Sequence, residues 1–207
     1  MSKARLEAFS DGVFAIAITL LVLSLAQPAS TADLGRELLD QWPGYAAYGV
    51  SFVVIGIMWI NHHALFLRLA STDRVLQFLN LVLLMGVAFL PYPTGLVGRA
   101  LQQGHGEVAA AAMYSAVNLF IAFGFTAVWS WSALGRRLLV PSFPAGDVAG
   151  SIVRFGIGIV AYSVLLVLAF VSPVVCLVGH GVVAMYYVVD QLTGGRTDAA
   201  EAVPGES

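Results

Sequence analysis

The chain has 207 residues, of which 59% are hydrophobic and 11% charged, with a formal net charge of -2. A soluble globular domain carries about 25% charged residues, so this balance excludes one and predicts an integral all-α membrane protein. The near-neutral charge gives no sign of a nucleic-acid partner, and no polar stretch is long enough for a separate soluble domain.

Stretches of about 20 apolar residues mark membrane spans, and six occur: Leu6 to Leu25, Gly44 to Leu67, Leu76 to Val97, Val108 to Trp131, Val148 to Val171 and Pro173 to Val189. Residues 1–190 therefore read as a single six-helix domain. Residues 191–207 form a short polar tail without an apolar face, expected to be disordered. A cleaved signal peptide is the rival reading of the first span. Glu7 and Asp11 do not suit a basic leader, so the span is expected to be retained.

Between the first two spans, Thr31 to Asp40 reads as a short amphipathic helix with Thr31 as N-cap and Leu34 and Leu38 on one face. Pro43 and Gly44 punctuate the entry to the second span. Ser71-Thr72-Asp73 supplies turn residues before the third, Pro141-Ser142-Phe143-Pro144 breaks the chain after the fourth, and Ser172-Pro173 joins the last two as a tight hairpin. With the N-terminus inside, the inner side holds Lys3, Arg5, Arg68, Arg74, Arg136, Arg137 and Arg196, against Arg36 and Arg99 outside. This bias places both termini in the cytoplasm.

Polar groups inside these spans are few: Ser10, Asp11, Thr19 and Ser24 in the first, Asn61, His62 and His63 in the second, Asn80 in the third, Asn118 in the fourth, Arg154 in the fifth and His180 in the sixth. Ionisable groups in a bilayer usually face protein or a pathway. An unsatisfied buried polar group costs about 1–3 kcal/mol, so these residues are expected to pair across helices. Arg5, Asp11 and a histidine of the second span are the natural partners at the inner end. The single cysteine, Cys176, sits in an apolar run without metal-ligand spacing, and an inert buried thiol is expected.

Helix phase divides the first span. At about 100° per residue, Gly12, Ile16, Thr19, Leu20 and Leu23 share one stripe, whereas Glu7, Asp11, Ile18, Val22 and Leu25 lie largely on the other side. If Asp11 packs against neighbouring helices, the Ile16 stripe is free to face an axis; phase alone does not distinguish that axis from lipid.

In these residues the chain resembles the transmembrane protein 175 family of potassium channels, in particular its short bacterial members with six helices per subunit. The shared signature is an arginine, three residues, then Phe-Ser-Asp: Arg5, Phe9, Ser10 and Asp11. It is joined by Trp59 and His62 as Trp-x-x-His in Trp59-Ile60-Asn61-His62-His63, and by Asn80 and Phe89-Leu90-Pro91. The motifs cover the first half of the chain, and the second half is similar only in helix number and hydropathy.

The resemblance implies a passive, potassium-permeable pore lined by the first helix around the symmetry axis of a homotetramer, in a bacterial plasma membrane. A second Phe-Ser-Asp is absent from the chain. It further implies that the narrow points are Ile16, Leu20 and Leu23, with Thr19 offering a hydroxyl ring, and that Arg5, Phe9, Ser10, Asp11, Trp59, Asn61, His62 and Asn80 form the network holding the first helix. Potassium is then the permeant ion rather than a cofactor, and no cofactor or structural metal is expected. Rings of Ile and Leu can gate by dewetting, and hydroxyl and carbonyl oxygens replace part of an ion's water shell.

No Thr-Val-Gly-Tyr-Gly filter, arginine ladder or nucleotide-binding glycine loop occurs, which sets aside conventional potassium channels, voltage sensors and nucleotide-driven pumps. The alternatives are a proton or weakly selective cation pathway with His62 titrating, a metalloenzyme using His62, His63 and His180, and a non-conducting scaffold.

Overall fold

The computed structural model describes residues 2–28, 32–143 and 147–186, and it is all-helical apart from loops and one isolated bridge. In chain order the elements are α1 (Lys3–Leu20) with a 3-10 turn (Leu21–Ser24), α2 (Leu34–Asp40), α3 (Trp42–Leu67), α4 (Arg74–Phe89), α5 (Pro91–Gln103), α6 (Glu107–Ala133), α7 (Asp147–Val171) and α8 (Pro173–Tyr186). Among the described residues four rods are long and apolar enough to cross a membrane: Lys3–Ser24, Trp42–Leu67, Arg74–Gln103 and Glu107–Ala133. The expected sixth span ends at Tyr186 as described, with residues 187–189 and the polar tail lying outside the described residues.

Local chemistry explains the boundaries. Ser2 caps α1 by accepting from Arg5 N at 3.4 Å. Asp73 caps α4 by accepting from Leu76 N at 2.8 Å and also takes the Trp131 indole N–H, tying the turn to α6. Pro43 falls in the first turn of α3, where its missing N–H costs nothing. The amphipathic helix starts at Leu34, with Asp33 at the cap position; Thr31 lies outside the described residues.

The third rod departs most from its expected form. It is broken at Pro91, which has no N–H to offer Val87, and Leu90 N takes the Val87 carbonyl instead at 3.2 Å in a tighter turn. It also runs six residues beyond the expected end at Val97, to Gln103, because Arg99, Gln102 and Gln103 are polar yet good helix formers. Gly104, at φ 70°, ends it in the left-handed cap that glycine favours.

α1, α3, α4, α5 and α6 share the main core, centred on Leu6, Phe14, Ile55, Leu65, Leu83 and Val128. α7 and α8 form a hairpin at Ser172 and join α6 through a smaller cluster with Tyr162, Leu165, Ala169 and Cys176. At the end where α1 begins, Lys3 Nζ donates to Leu69 O at 2.7 Å, and residues 68–70 pair with 138–140 through Ala70 N to Leu138 O at 2.8 Å and Val140 N to Arg68 O at 3.0 Å. The Arg68 guanidinium lies 5.6 Å from the centre of the Trp129 ring, a cation–π contact.

Candidate functional site

α1 presents two unlike faces. Leu6, Ser10, Phe14, Ala17 and Leu21, spaced four, four, three and four apart, are buried at 1% exposure or less. Across the helix Ile16 is 59% exposed, Leu20 40% and Leu23 75%, and Gly12 and Thr19 are exposed with them. Glu7, Asp11 and Ile18 form a half-buried flank between the two. Val22 departs from its expected place: it is 53% exposed, because the 3-10 turn advances about 120° per residue and re-phases the last four positions.

The buried face carries a directional hydrogen-bond chain through three helices. Asn80 Nδ2 on α4 donates to Ser10 Oγ at 2.9 Å, and Ser10 in turn donates to Leu6 O at 2.9 Å. With its amide nitrogen spent on Ser10, Asn80 turns Oδ1 toward His62 Nε2 on α3, 2.8 Å away. An amide oxygen only accepts, so His62 carries its proton on Nε2, and Nδ1 has no partner among the described residues. The ring is packed against Phe66, 4.4 Å centre to centre, and Phe14 at 5.3 Å.

A second ladder runs along the half-buried flank. Trp59 Nε1 donates to Asp11 Oδ1 at 2.9 Å, and one turn away His63 Nδ1 lies 3.1 Å from Glu7 Oε1. The indices fall on one side of α1 and rise on α3, as an antiparallel pair requires. Asp11 was expected to meet Arg5 and a histidine. It meets the indole instead, because His62 points into the core toward Asn80 while Trp59, one turn earlier, reaches the flank. Arg5 and Phe9 are exposed, and Arg5 makes no side-chain hydrogen bond or ion pair among the described residues. Neither joins the network within the chain, so the structure separates them from Ser10, Asp11, Trp59, His62 and Asn80. Asn61 is half-buried beside them.

On the exposed face, Thr19 Oγ1 donates to Ile16 O at 2.9 Å. Its proton is thereby committed to the helix, and its free lone pairs are left as acceptors on the Ile16–Leu23 stripe. Among the described residues no group of three or more His, Cys, Asp or Glu side chains is placed to hold a metal ion. His180, in α8, bonds Ser115 Oγ at 2.9 Å and is stacked on Tyr162, in a cluster separate from His62.

One network escaped the sequence. Ser51, Thr94 and Tyr114 meet in the core at 2.8 and 3.0 Å. Hydroxyls in membrane helices commonly bond their own backbone, so Ser and Thr carry little signal; a tyrosine within the apolar run from Val108 to Trp131 was the available clue.

These features define an all-helical membrane protein whose first helix is clamped by polar bonds on one side and bare on the other. The chain belongs to the TMEM175 family: the model described as endosomal/lysosomal potassium channel TMEM175 matches residues 5–91, the stretch from Arg5 to the Pro91 break. A potassium channel of Streptomyces collinus is 44% identical over 200 residues, covering 96% of this chain and 97% of that one. The crystal structure of a lysosomal potassium-selective channel TMEM175 homolog from Chamaesiphon minutus superposes with a TM-score of 0.81 at 37% identity, covering 90% of this chain and 96% of that one. The endosomal/lysosomal proton channel TMEM175 of Gallus gallus is 33% identical over 147 residues, 66% of this chain but 29% of its own length. This is a family of channels, not of enzymes.

Proposed function

We propose that this chain forms a potassium-permeable cation channel: a homotetramer of six-span subunits in a bacterial plasma membrane, both termini cytoplasmic, with α1 of each subunit around the axis. The observation that carries the reading is the division of α1. Glu7, Ser10 and Asp11 are engaged by α3 or α4 and Lys3 by the connection between them, so the bare stripe of Ile16, Thr19, Leu20 and Leu23 is left for the axis. Family membership, with relatives named potassium channels at full length, supports the same choice over a lipid-facing stripe.

In this reading Ile16 is the tightest ring, and Thr19 oxygens with backbone carbonyls replace part of the potassium hydration shell, while Leu20 and Leu23 form dewetting rings toward the outside. Ser10, Asp11, Trp59, Asn61, His62 and Asn80 hold the angle of α1; Arg5 and Phe9, exposed in the isolated subunit, act at contacts between subunits. Ile16→Asn, reconstituted in liposomes, is expected to lower the potassium-to-sodium permeability ratio and raise leak. Wild-type ratios and conductance in that variant would reject Ile16 as the selective ring.

A second reading, a proton or weakly selective cation pathway, draws on the vertebrate relatives named proton channels. Reversal potentials in separate potassium, sodium and proton gradients decide between the two.

A further inference from the structure

The bare stripe ends on the 3-10 turn Leu21–Ser24, and that turn rests on α5. A Cβ placed on Gly95 would stand 3.2 Å from Ser24 Cβ and 3.2 Å from Ser24 O; one on Gly98 would stand 2.9 Å from Gly44 Cα at the start of α3. Gly95 and Gly98 lie three apart on one face of α5, so its backbone is wedged between the end of α1 and the beginning of α3. Only small residues let membrane helices approach so closely. Leu20 and Leu23 border the same seam, in a cavity of about 260 Å³ that Tyr92, Gly95 and Arg99 also line.

α5 is in turn pinned at its base. Pro91 removes one backbone bond at the joint with α4, and Thr94 spans it twice, with its N–H at 3.2 Å and its Oγ1 at 2.9 Å both donating to Leu90 O. With that proton committed, Thr94 accepts from Ser51 at 2.8 Å, and Ser51 accepts from Tyr114 at 3.0 Å. The order Tyr114, Ser51, Thr94, Leu90 carries one proton per link and ties α6 and α3 to the joint. All three side chains are buried. Nothing in the polar clamp around Ser10 reaches this end of α1, so the outer end needs its own support.

We propose that α5 is the positioning element of the outer constriction. Gly95, through Ser24, sets how far Leu23 stands from the pore axis, and the Tyr114–Ser51–Thr94 chain holds α5 in the position from which it does so. This rests on the reading of α1 as the pore-lining helix. A methyl group at position 95 moves the Leu21–Ser24 turn away from α5 in every subunit at once and narrows the Leu23 ring, leaving the Ile16 level, more than one turn deeper, in place.

The test uses the full-length protein in liposomes and planar bilayers, in a Cys176→Ala background, with Leu23→Cys as a reporter modified by a cationic methanethiosulfonate reagent. Gly95→Ala is expected to lower single-channel potassium conductance and slow Leu23→Cys modification, with the potassium-to-sodium permeability ratio unchanged. Adding Ser24→Gly, which removes one of the two crowded atoms, is expected to restore part of both. Conductance and modification rate equal to the parent, or a loss that Ser24→Gly does not reduce, overturns the proposal. If Gly95→Ala does not assemble, Thr94→Val decides: it keeps the shape and removes the hydroxyl, and faster modification at Leu23→Cys supports the proposal whereas an unchanged rate rejects it. Failure of the underlying reading looks different, because modification of Leu23→Cys would then leave the current untouched in the parent channel itself.

Discussion

Asn80→Ala tests whether the buried chain behind α1 is what holds that helix. The substitution removes the bonds to Ser10 and His62, each worth about 1 kcal/mol net. It also leaves His62 Nε2–H without an acceptor in a ring whose Nδ1 is already unpartnered, at about 1–3 kcal/mol. Measured bonds between membrane helices average lower, about 0.6 kcal/mol, so the total is taken as about 2–4 kcal/mol. Ser10→Ala removes the bonds to Asn80 and Leu6 O and leaves one Asn80 N–H unpartnered, but it keeps His62 satisfied; it should cost about 1–3 kcal/mol and less than Asn80→Ala. Unfolding of the detergent-solubilised protein by SDS titration measures both, and the double variant should be less destabilised than the sum of the two, because Ser10 and Asn80 share a bond. If Asn80→Ala costs no more than Ser10→Ala, within about 0.5 kcal/mol, His62 does not depend on Asn80 and the directional chain is not the clamp.

Trp59→Phe removes the indole donor to Asp11 and is expected to cost about 1–2 kcal/mol in the same titration, at the low end for a charged acceptor because Trp59 is 44% exposed; Asp11→Asn keeps an acceptor oxygen and should cost less. Gly86→Ala places a methyl 2.8 Å from Ile121 Cγ1 and Phe120 Cδ1 where α4 meets α6, and overpacking of that kind costs about 1–3 kcal/mol. Gly12→Ala, with nothing within 4 Å of its Cβ position in the subunit, is the matched control; equal losses at positions 86 and 12 would refute the packing argument.

The helices were legible where hydrophobicity and punctuation agree. Pro43, Asp73 and Ser172 stand at real boundaries, since each residue's backbone preference acts locally and needs no tertiary partner. Gln103 was missed for the converse reason: an apolar window measures what prefers lipid, whereas the helix is stopped by Gly104. Side-chain partners were less legible. Helix phase separated Asp11 from Ile16, but choosing between Trp59 and His62 for Asp11 depends on the rotation of α3, which is fixed by Asn80 on a third helix. The Ser51, Thr94 and Tyr114 chain lay further out of reach, because a Ser or Thr hydroxyl can be satisfied by its own helix backbone and so does not by itself demand a partner on another helix.

The two ends of α1 are held by different physics, and this has a consequence for the bare stripe. At the start, bonds from Ser10 and Asp11 to Asn80 and Trp59 are directional, so they fix the rotation of the helix about its own axis. At the end, the contact of Ser24 with Gly95 is steric and fixes distance, not rotation. A helix turned at one end by hydrogen bonds and propped at the other by backbone contact keeps Ile16, between them, on one bearing. Rotating that stripe by the about 100° of a single residue would bring Asp11 out of reach of Trp59 and bury Ile16 against α3 or α4. The polar groups around Asp11, costly as they are in a membrane, are therefore the means by which an apolar face is kept bare.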